Sequence, residues 1–330
     1  MRFDFTEDQH EIKRTAKDLL ATRSNLERVR EAAESGTYDD ALWREFCDLG
    51  WPGVAVDEQH AGGGLGYVEL AALLEEAGYA LVNGPLLSSV MCAAAIAECG
   101  SDSQKAEWLP KLSSAEARGA FGQAGELVAD AAEADVAVVA ADADLVLISG
   151  PSGSASPVKV IDPTRRYAKL EAGEAGEAMP GDAQVALDLA AVLVSAEIVG
   201  VCRRALDMTL DYVKERKQFG RPVGSFQAVQ HRCAQMLLHT EGARATTYFA
   251  AWAADADRER LPEAASLAKS AASKAGLEVT ASAIQAHGGI GFTWEADVHW
   301  FYKRAQMDAA FLGGSSTHNQ RLTRLVSTTG

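Results

Sequence analysis

No run of about 18 apolar residues passes without a charged side chain, so no membrane span is expected in this 330-residue chain. The first stretch, MRFDFTEDQHEIKR, is charged from its second residue and has no apolar signal core, which points to the cytoplasm. Cysteine is sparse and unpaired in spacing: Cys47, Cys92, Cys99, Cys202 and Cys233 are odd in number and lie far apart. They read as reduced structural thiols, without the clustered pairs of a metal site or disulfide framework. Positive charge is also short. With 31 Lys and Arg against 46 Asp and Glu the formal charge is −15, which opposes adhesion to nucleic acid or anionic lipid. The acidic excess falls in the first 190 residues, however, and Arg and Lys recur between 203 and 232, where a small phosphorylated molecule could be held.

What is present divides into three segments. Residues 1–113 read as helices, with Thr6 as N-cap of FTEDQHEIKRTAKDLLA and YVELAALLEEAGYAL as an amphipathic helix. The intervening HAGGGLG (60–66) has neither the lysine nor the strand–helix setting of a phosphate loop, and is expected to be a plain connection. Residues 114–180 change to short β-branched runs, DVAVVAA (135–141), DLVLISG (144–150) and PVKVID (157–162), separated by turn formers. They predict a small sheet or barrel, and its tail EAGEAGEAMPGD reads as a linker.

Residues 181–330 return to helix. Leu187, Ala191, Val194, Ile198, Val201, Ala205, Met208 and Tyr212 step by fours and threes along the seam of a long helix. Further helices are expected at 226–255, 262–287 and 295–312, which with short connections make an antiparallel four-helix bundle. The fold class is thus mostly α with a small middle β domain. FLGGSS (311–316) lies in what looks like the last long helix, where glycine costs roughly 1 kcal/mol per residue relative to alanine.

Two stretches carry chemistry. ERKQFGRPVGSFQAVQH (215–231) ends the long helix in a basic cluster, turns through Gly220, Pro222 and Gly224, and restarts with Ser225 as expected N-cap. Its cations could simply complement a helix C-terminus. Equally, Arg216, Lys217 and Arg221 could grip a pyrophosphate while Phe219 packs on an adenine. QAHGGIGF (285–292) is a glycine turn after a helix, either a simple C-cap or a place of close backbone approach to a cofactor.

In this order, R-x-x-F-G-x-x-x-x-x-F-Q at 216–227 and Q-x-x-G-G-x-G-F-x-x-E at 285–295 resemble the acyl-CoA dehydrogenase family of flavoproteins. MRFDFTEDQ and LWREFCDLGWPGVAVDEQHAGGGLG resemble its N-terminal helical domain, and the three-segment order is the family's own. The resemblance implies α,β-dehydrogenation of an acyl-CoA: a glutamate takes the Cα proton, hydride passes from Cβ to the flavin of FAD, and an electron-transfer flavoprotein reoxidises it. It also implies that Arg216, Phe219, Gln285 and Gly289 bind the adenine–pyrophosphate end of a neighbouring subunit's FAD, with oligomerisation through the bundle.

The chain departs from the family where the family does its chemistry. The position of the usual glutamate falls on Gly313, or on Gly314 if the gap lies elsewhere, and the alternative position on the long helix falls on Ala190. Both are vacant of carboxylate. Glu197 is the remaining candidate for a displaced base, against the commoner reading of a solvated or bundle-edge glutamate. Asp308 is a poor substitute, and Glu295 is expected to be structural. Ala124-Gly125-Glu126-Leu127 stands where relatives have a flavin-holding Thr-Glu-Pro stretch, without its Pro, Ser or Asp. Contacts for a neighbour's FAD are kept while those for the chain's own flavin ring are reduced. Such a division resembles the smaller subunit of actinobacterial α2β2 acyl-CoA dehydrogenases that act on steroid-CoA side chains. The alternatives are a homomeric enzyme using Glu197, or a non-catalytic acyl-CoA-binding scaffold.

Overall fold

The computed structural model describes residues 4–114, 116–170 and 176–328. Six helices come first: α1 (Glu7–Arg23), α2 (Leu26–Ser35), α3 (Asp40–Asp48), α4 (Tyr67–Tyr79), α5 (Leu86–Cys99) and α6 (Asp102–Ser113). Thr6 caps α1 as expected: its hydroxyl accepts from the Gln9 N–H, and the Gln9 side chain accepts from the Thr6 N–H at 2.9 Å. The 60–66 loop connects two elements, and α4 starts with its first N–H groups donating to the Asp255 carboxylate, Tyr67 at 2.7 Å and Val68 at 3.1 Å.

Seven short strands follow: β1 (Gly119–Gln123), β2 (Leu127–Ala129), β3 (Val136–Ala141), β4 (Asp144–Ser149), β5 (Ala155–Val158), β6 (Tyr167–Leu170) and β7 (Glu177–Met179). They make a four-stranded sheet ordered β1-β3-β4-β7, in which β1 and β3 are parallel, and a three-stranded antiparallel sheet ordered β2-β6-β5. The period of two along β3 serves two cores. Val136, Val138 and Ala140 join the main core against the helices, while Ala137 and Val139 face a small core between the sheets. The expected strand at 157–162 is shorter, ending at Val158, because Asp162 turns inward to a buried charge. The expected linker at 171–182 contains β7; its residues 171–175 lie outside the described residues.

The chain then enters α7 (Ala183–Glu215), a two-rung hairpin of β8 (Lys217–Gln218) and β9 (Arg221–Pro222), α8 (Gln227–Ala256), α9 (Leu261–His287), α10 (Val298–Ala310) and α11 (Ser315–Thr328). The residue capping α8 is Phe226, with no side-chain cap; the Ser225 hydroxyl turns back to the Pro222 carbonyl instead. α7 is the one described helix long and apolar enough to cross a membrane, but its apolar stretch is buried among α4, α8, α9 and α10. It crosses α4 backbone to backbone. A Cβ on Gly200 would meet the Glu75 carbonyl oxygen at 1.9 Å, and one on Gly78 the Glu197 carbonyl oxygen at 2.1 Å. The glycine pair therefore fixes where Glu197 stands.

FLGGSS does not lie inside a helix. α10 ends at Ala310 and α11 begins at Ser315, with Leu312 (φ +58°) and Gly313 (φ +86°) both left-handed between them. The glycine is where the chain reverses its twist, which an L side chain resists.

Candidate functional site

The two motifs meet at one end of the bundle. Arg216 is the C-cap of α7, its N–H donating to the Tyr212 carbonyl at 2.9 Å, and its own carbonyl accepts from Val223 N–H at 2.8 Å. The hairpin between them projects Phe219, in a left-handed conformation and 91% exposed. One turn before Arg216, the Tyr212 ring stacks on His287 with centroids 4.4 Å apart, joining the end of α7 to the end of α9. Gln285 on the last turn of α9 and Gly289 just after it are exposed beside this stack. Arg221 sits 4.2 Å over the Phe226 ring. Among the described residues none of Arg216, Lys217 and Arg221 has a carboxylate partner, although the chain carries an excess of acids. An exposed aromatic, three unneutralised cations and an open glycine turn fit the adenine and pyrophosphate of a dinucleotide.

The opposite half of the motif set is differently built. Gly313 stands in the α10–α11 turn, its carbonyl accepting from Lys269 Nζ at 3.0 Å. The same buried ammonium donates to the carbonyls of Asp308 (3.2 Å) and Ala309 (3.1 Å) and to the Ser273 hydroxyl (2.8 Å). Burial pushes the Lys269 pKa down to about 7, with Asp308 opposing. His318 Nε2 bonds the Leu312 carbonyl at 3.0 Å, and burial lowers its pKa to about 4. Ala190 is buried in α7 and offers no polar atom.

Glu197 is neither solvated nor at the bundle edge. It is 2% exposed, and its Oε1 accepts from Arg165 at 2.6 Å and Arg304 at 3.1 Å. Arg165 also reaches Asp308 at 3.1 Å, and Arg304 reaches Asp162 at 2.7 Å and the Thr164 hydroxyl at 2.7 Å. Asp162 in turn accepts from the N–H of Thr164 at 2.9 Å, an Asx turn that aims the loop between β5 and β6 into the bundle. Burial opposes charge on Glu197, yet the two guanidiniums outweigh it and lower its pKa. On Asp308, burial and then the Glu197 carboxylate act together and raise the pKa well above the usual range.

The expectation for Glu295 is corrected here. Glu295 is exposed and makes no side-chain hydrogen bond or ion pair among the described residues, so it holds no structure within this chain. Arg165, Arg304 and Asp162 were not singled out from the sequence, although Phe301, Arg304, Ala305 and Asp308 share one helical stripe whose apolar members mark it as buried. Of the Ala124–Leu127 stretch, Ala124, Gly125 and Glu126 form an exposed turn between β1 and β2 and Leu127 opens β2, with no hydroxyl or carboxamide among the four.

Helical domains flanking a small two-sheet domain, with a dinucleotide-type contact face at one end of the bundle, define a flavin-dependent oxidoreductase architecture. The sequence matches the acyl-CoA dehydrogenase N-terminal domain over residues 6–116 and the acyl-CoA dehydrogenase C-terminal domain over residues 181–326. The chain belongs to the acyl-CoA dehydrogenase family, and its cofactor is FAD. It is 36% identical over 308 residues, 93% of each chain, to acyl-CoA dehydrogenase IpdE2 of Mycobacterium tuberculosis. A chain of the ChsE4-ChsE5 complex of Mycobacterium tuberculosis superposes with a TM-score of 0.89 at 26% identity over 99% of both chains. A chain of the Tcur3481-Tcur3483 steroid ACAD does so at 0.87, with 27% identity over 98% of both.

Proposed function

We propose that this chain is the base-lacking subunit of a heteromeric α2β2 acyl-CoA dehydrogenase, contributing to a FAD site completed by a longer subunit that carries the catalytic glutamate. The observation that carries the reading is the division of its two halves. Arg216, Phe219, Gln285 and Gly289 stand exposed, and the Arg216 and Gln285 side chains make no hydrogen bond or ion pair among the described residues, whereas both base positions, Gly313 and Ala190, lack a carboxylate. The names of similar chains, a two-component ChsE4-ChsE5 complex and a paired steroid ACAD, support a partner subunit and a bulky steroid-CoA side chain as substrate. Electrons would leave through an electron-transfer flavoprotein, and the assembly would work in the cytoplasm.

When bound, FAD supplies the two-electron acceptor. The chain's own part is binding and orientation. Arg216 neutralises pyrophosphate charge, Phe219 covers one face of the adenine, and the Gln285–Gly289 turn lets backbone approach the phosphates. Binding at an exposed end of the bundle needs a second chain to exclude water from the other side.

Purification alone and with a longer acyl-CoA dehydrogenase subunit, followed by flavin content and acyl-CoA-dependent dye reduction, tests this. The expected result is activity on co-expression only, with about half a flavin per chain. Full flavin occupancy and turnover by the chain alone would overturn it. A homomeric enzyme using Glu197 then becomes the better reading, and Glu197→Gln should abolish turnover while FAD is retained. No flavin in any assembly would leave an acyl-CoA-binding scaffold.

A further inference from the structure

The cluster around Glu197 contains two oxygens that cannot both be bare. Glu197 Oε2 and Asp308 Oδ2 are buried with no hydrogen-bond partner among the described residues, while the other oxygen of each carboxyl accepts from the same Arg165 guanidinium, at 2.6 and 3.1 Å. Two ionised carboxylates are acceptors only, so neither could satisfy the other's bare oxygen, and a buried oxygen left without a donor is costly. The structure assigns a shared proton to the Glu197–Asp308 pair, which makes the cluster a proton-dependent clamp between the Asp162–Arg165 loop of the middle domain and helices α7 and α10.

Charge counting agrees. With one proton on the pair, the guanidiniums of Arg165 and Arg304 are matched by Asp162 and the single charge of Glu197–Asp308. Every other titratable group facing Asp308 fits. Tyr167 on β6 is buried and kept protonated, its pKa raised first by burial. Lys269 on α9 meets the Asp308 carbonyl, not its carboxyl, so its ammonium is offset by the C-terminal carbonyls of α10. His318 and Arg321 on α11 stand behind Lys269, and Arg321 is engaged by Asp188 of α7. The buried positions of α8 are Met236, Thr240, Ala243, Thr247 and alanines, and its inward ionisable groups, Arg244 and Tyr248, are engaged by Glu75 of α4.

The proton has a directional consequence. Unfolded carboxyls release their protons near pH 4, whereas the folded pair keeps one through neutrality. The folded state therefore binds more protons above that pH, and the clamp weakens as pH rises.

Infrared spectroscopy of the purified 330-residue chain at pH 7 reads the proton directly. A protonated-carboxyl C=O band that shifts in D2O is expected, and Asp308→Asn should remove it. Glu197→Gln should remove it as well, because Asp308 beside Arg165 then ionises. Between pH 5.5 and 6.5 the unfolding equilibrium constant of wild type should rise, relative to Asp308→Asn, by about tenfold per pH unit. Absence of the band in wild type overturns the assignment whether or not the variants fold. So does its persistence in Asp308→Asn, or an identical pH slope in the two proteins. None of these readouts depends on flavin or turnover, so failure here leaves the proposed function untouched.

Discussion

Arg304 shows what a single residue decides. Its side chain is 0% exposed and bonds Asp162, Glu197 and Thr164, linking three segments distant in sequence. Replacing it with leucine leaves buried carboxylates without their cation, a loss worth roughly 3–5 kcal/mol. Arg304→Leu is expected to lower stability by that order in chemical denaturation, with Arg304→Lys only partly restoring it because lysine lacks the planar fork. Gly313 carries a different constraint. Its φ of +86° and a Cβ position 3.0 Å from Thr317 Cγ2 resist any side chain. Gly313→Glu should therefore lose about 1–2 kcal/mol and confer no turnover on the isolated chain in a dye-reduction assay. The vacancy at Gly313 is built into the backbone as well as the sequence.

At the scale of elements, the joint between α10 and α11 is held by side chains from elsewhere. Lys269 of α9 satisfies two carbonyls at the end of α10 and that of Gly313 in the turn, and His318 of α11 returns to the Leu312 carbonyl. The pH dependence follows from His318, whose folded pKa is about 4 against an ordinary 6.5. Its contribution is complete above pH 6.5 and is lost as pH falls through that window to about 4, because the unfolded imidazole takes up the proton first. Melting temperature measured from pH 7 to 4 should fall less steeply in His318→Gln than in wild type. The hydrophobic stepping from Leu187 to Tyr212 was enough to place α7 as a long bundle helix, since a period near 3.6 survives any tertiary context. β1 and β2 were not legible. GAFGQ and LVA are too short and too poor in β-branched residues, and they become strands through pairing with β3 and β6.

For the whole molecule, the asymmetry between its faces is the functional statement. The residues proposed to contact FAD contribute little to the fold: Phe219 is 91% exposed and Arg216 has no ion pair among the described residues. Phe219→Ala combined with Arg216→Met should leave the melting temperature of the isolated chain unchanged. The same variant should lower flavin content in the complex with a longer subunit, measured by absorbance after gel filtration. An unchanged flavin content would remove this face from the FAD site.

The family, the order of helical and β segments, and the pairing of the 216–227 and 285–295 motifs are legible in the linear sequence, because periodicity and glycine-bearing turns are local properties. The sequence also shows that Gly313 and Ala190 carry no carboxylate. The state of Glu197 depends on the folded arrangement. A glutamate on an apolar seam can be solvated, catalytic or ion-paired, and the choice depends on charges brought from residues 162, 165, 304 and 308 by the crossing of Gly78 and Gly200 and by the Asx turn at Asp162. Such electrostatics are set by distances of a few ångströms between segments more than 100 residues apart in several cases, and linear order does not encode them.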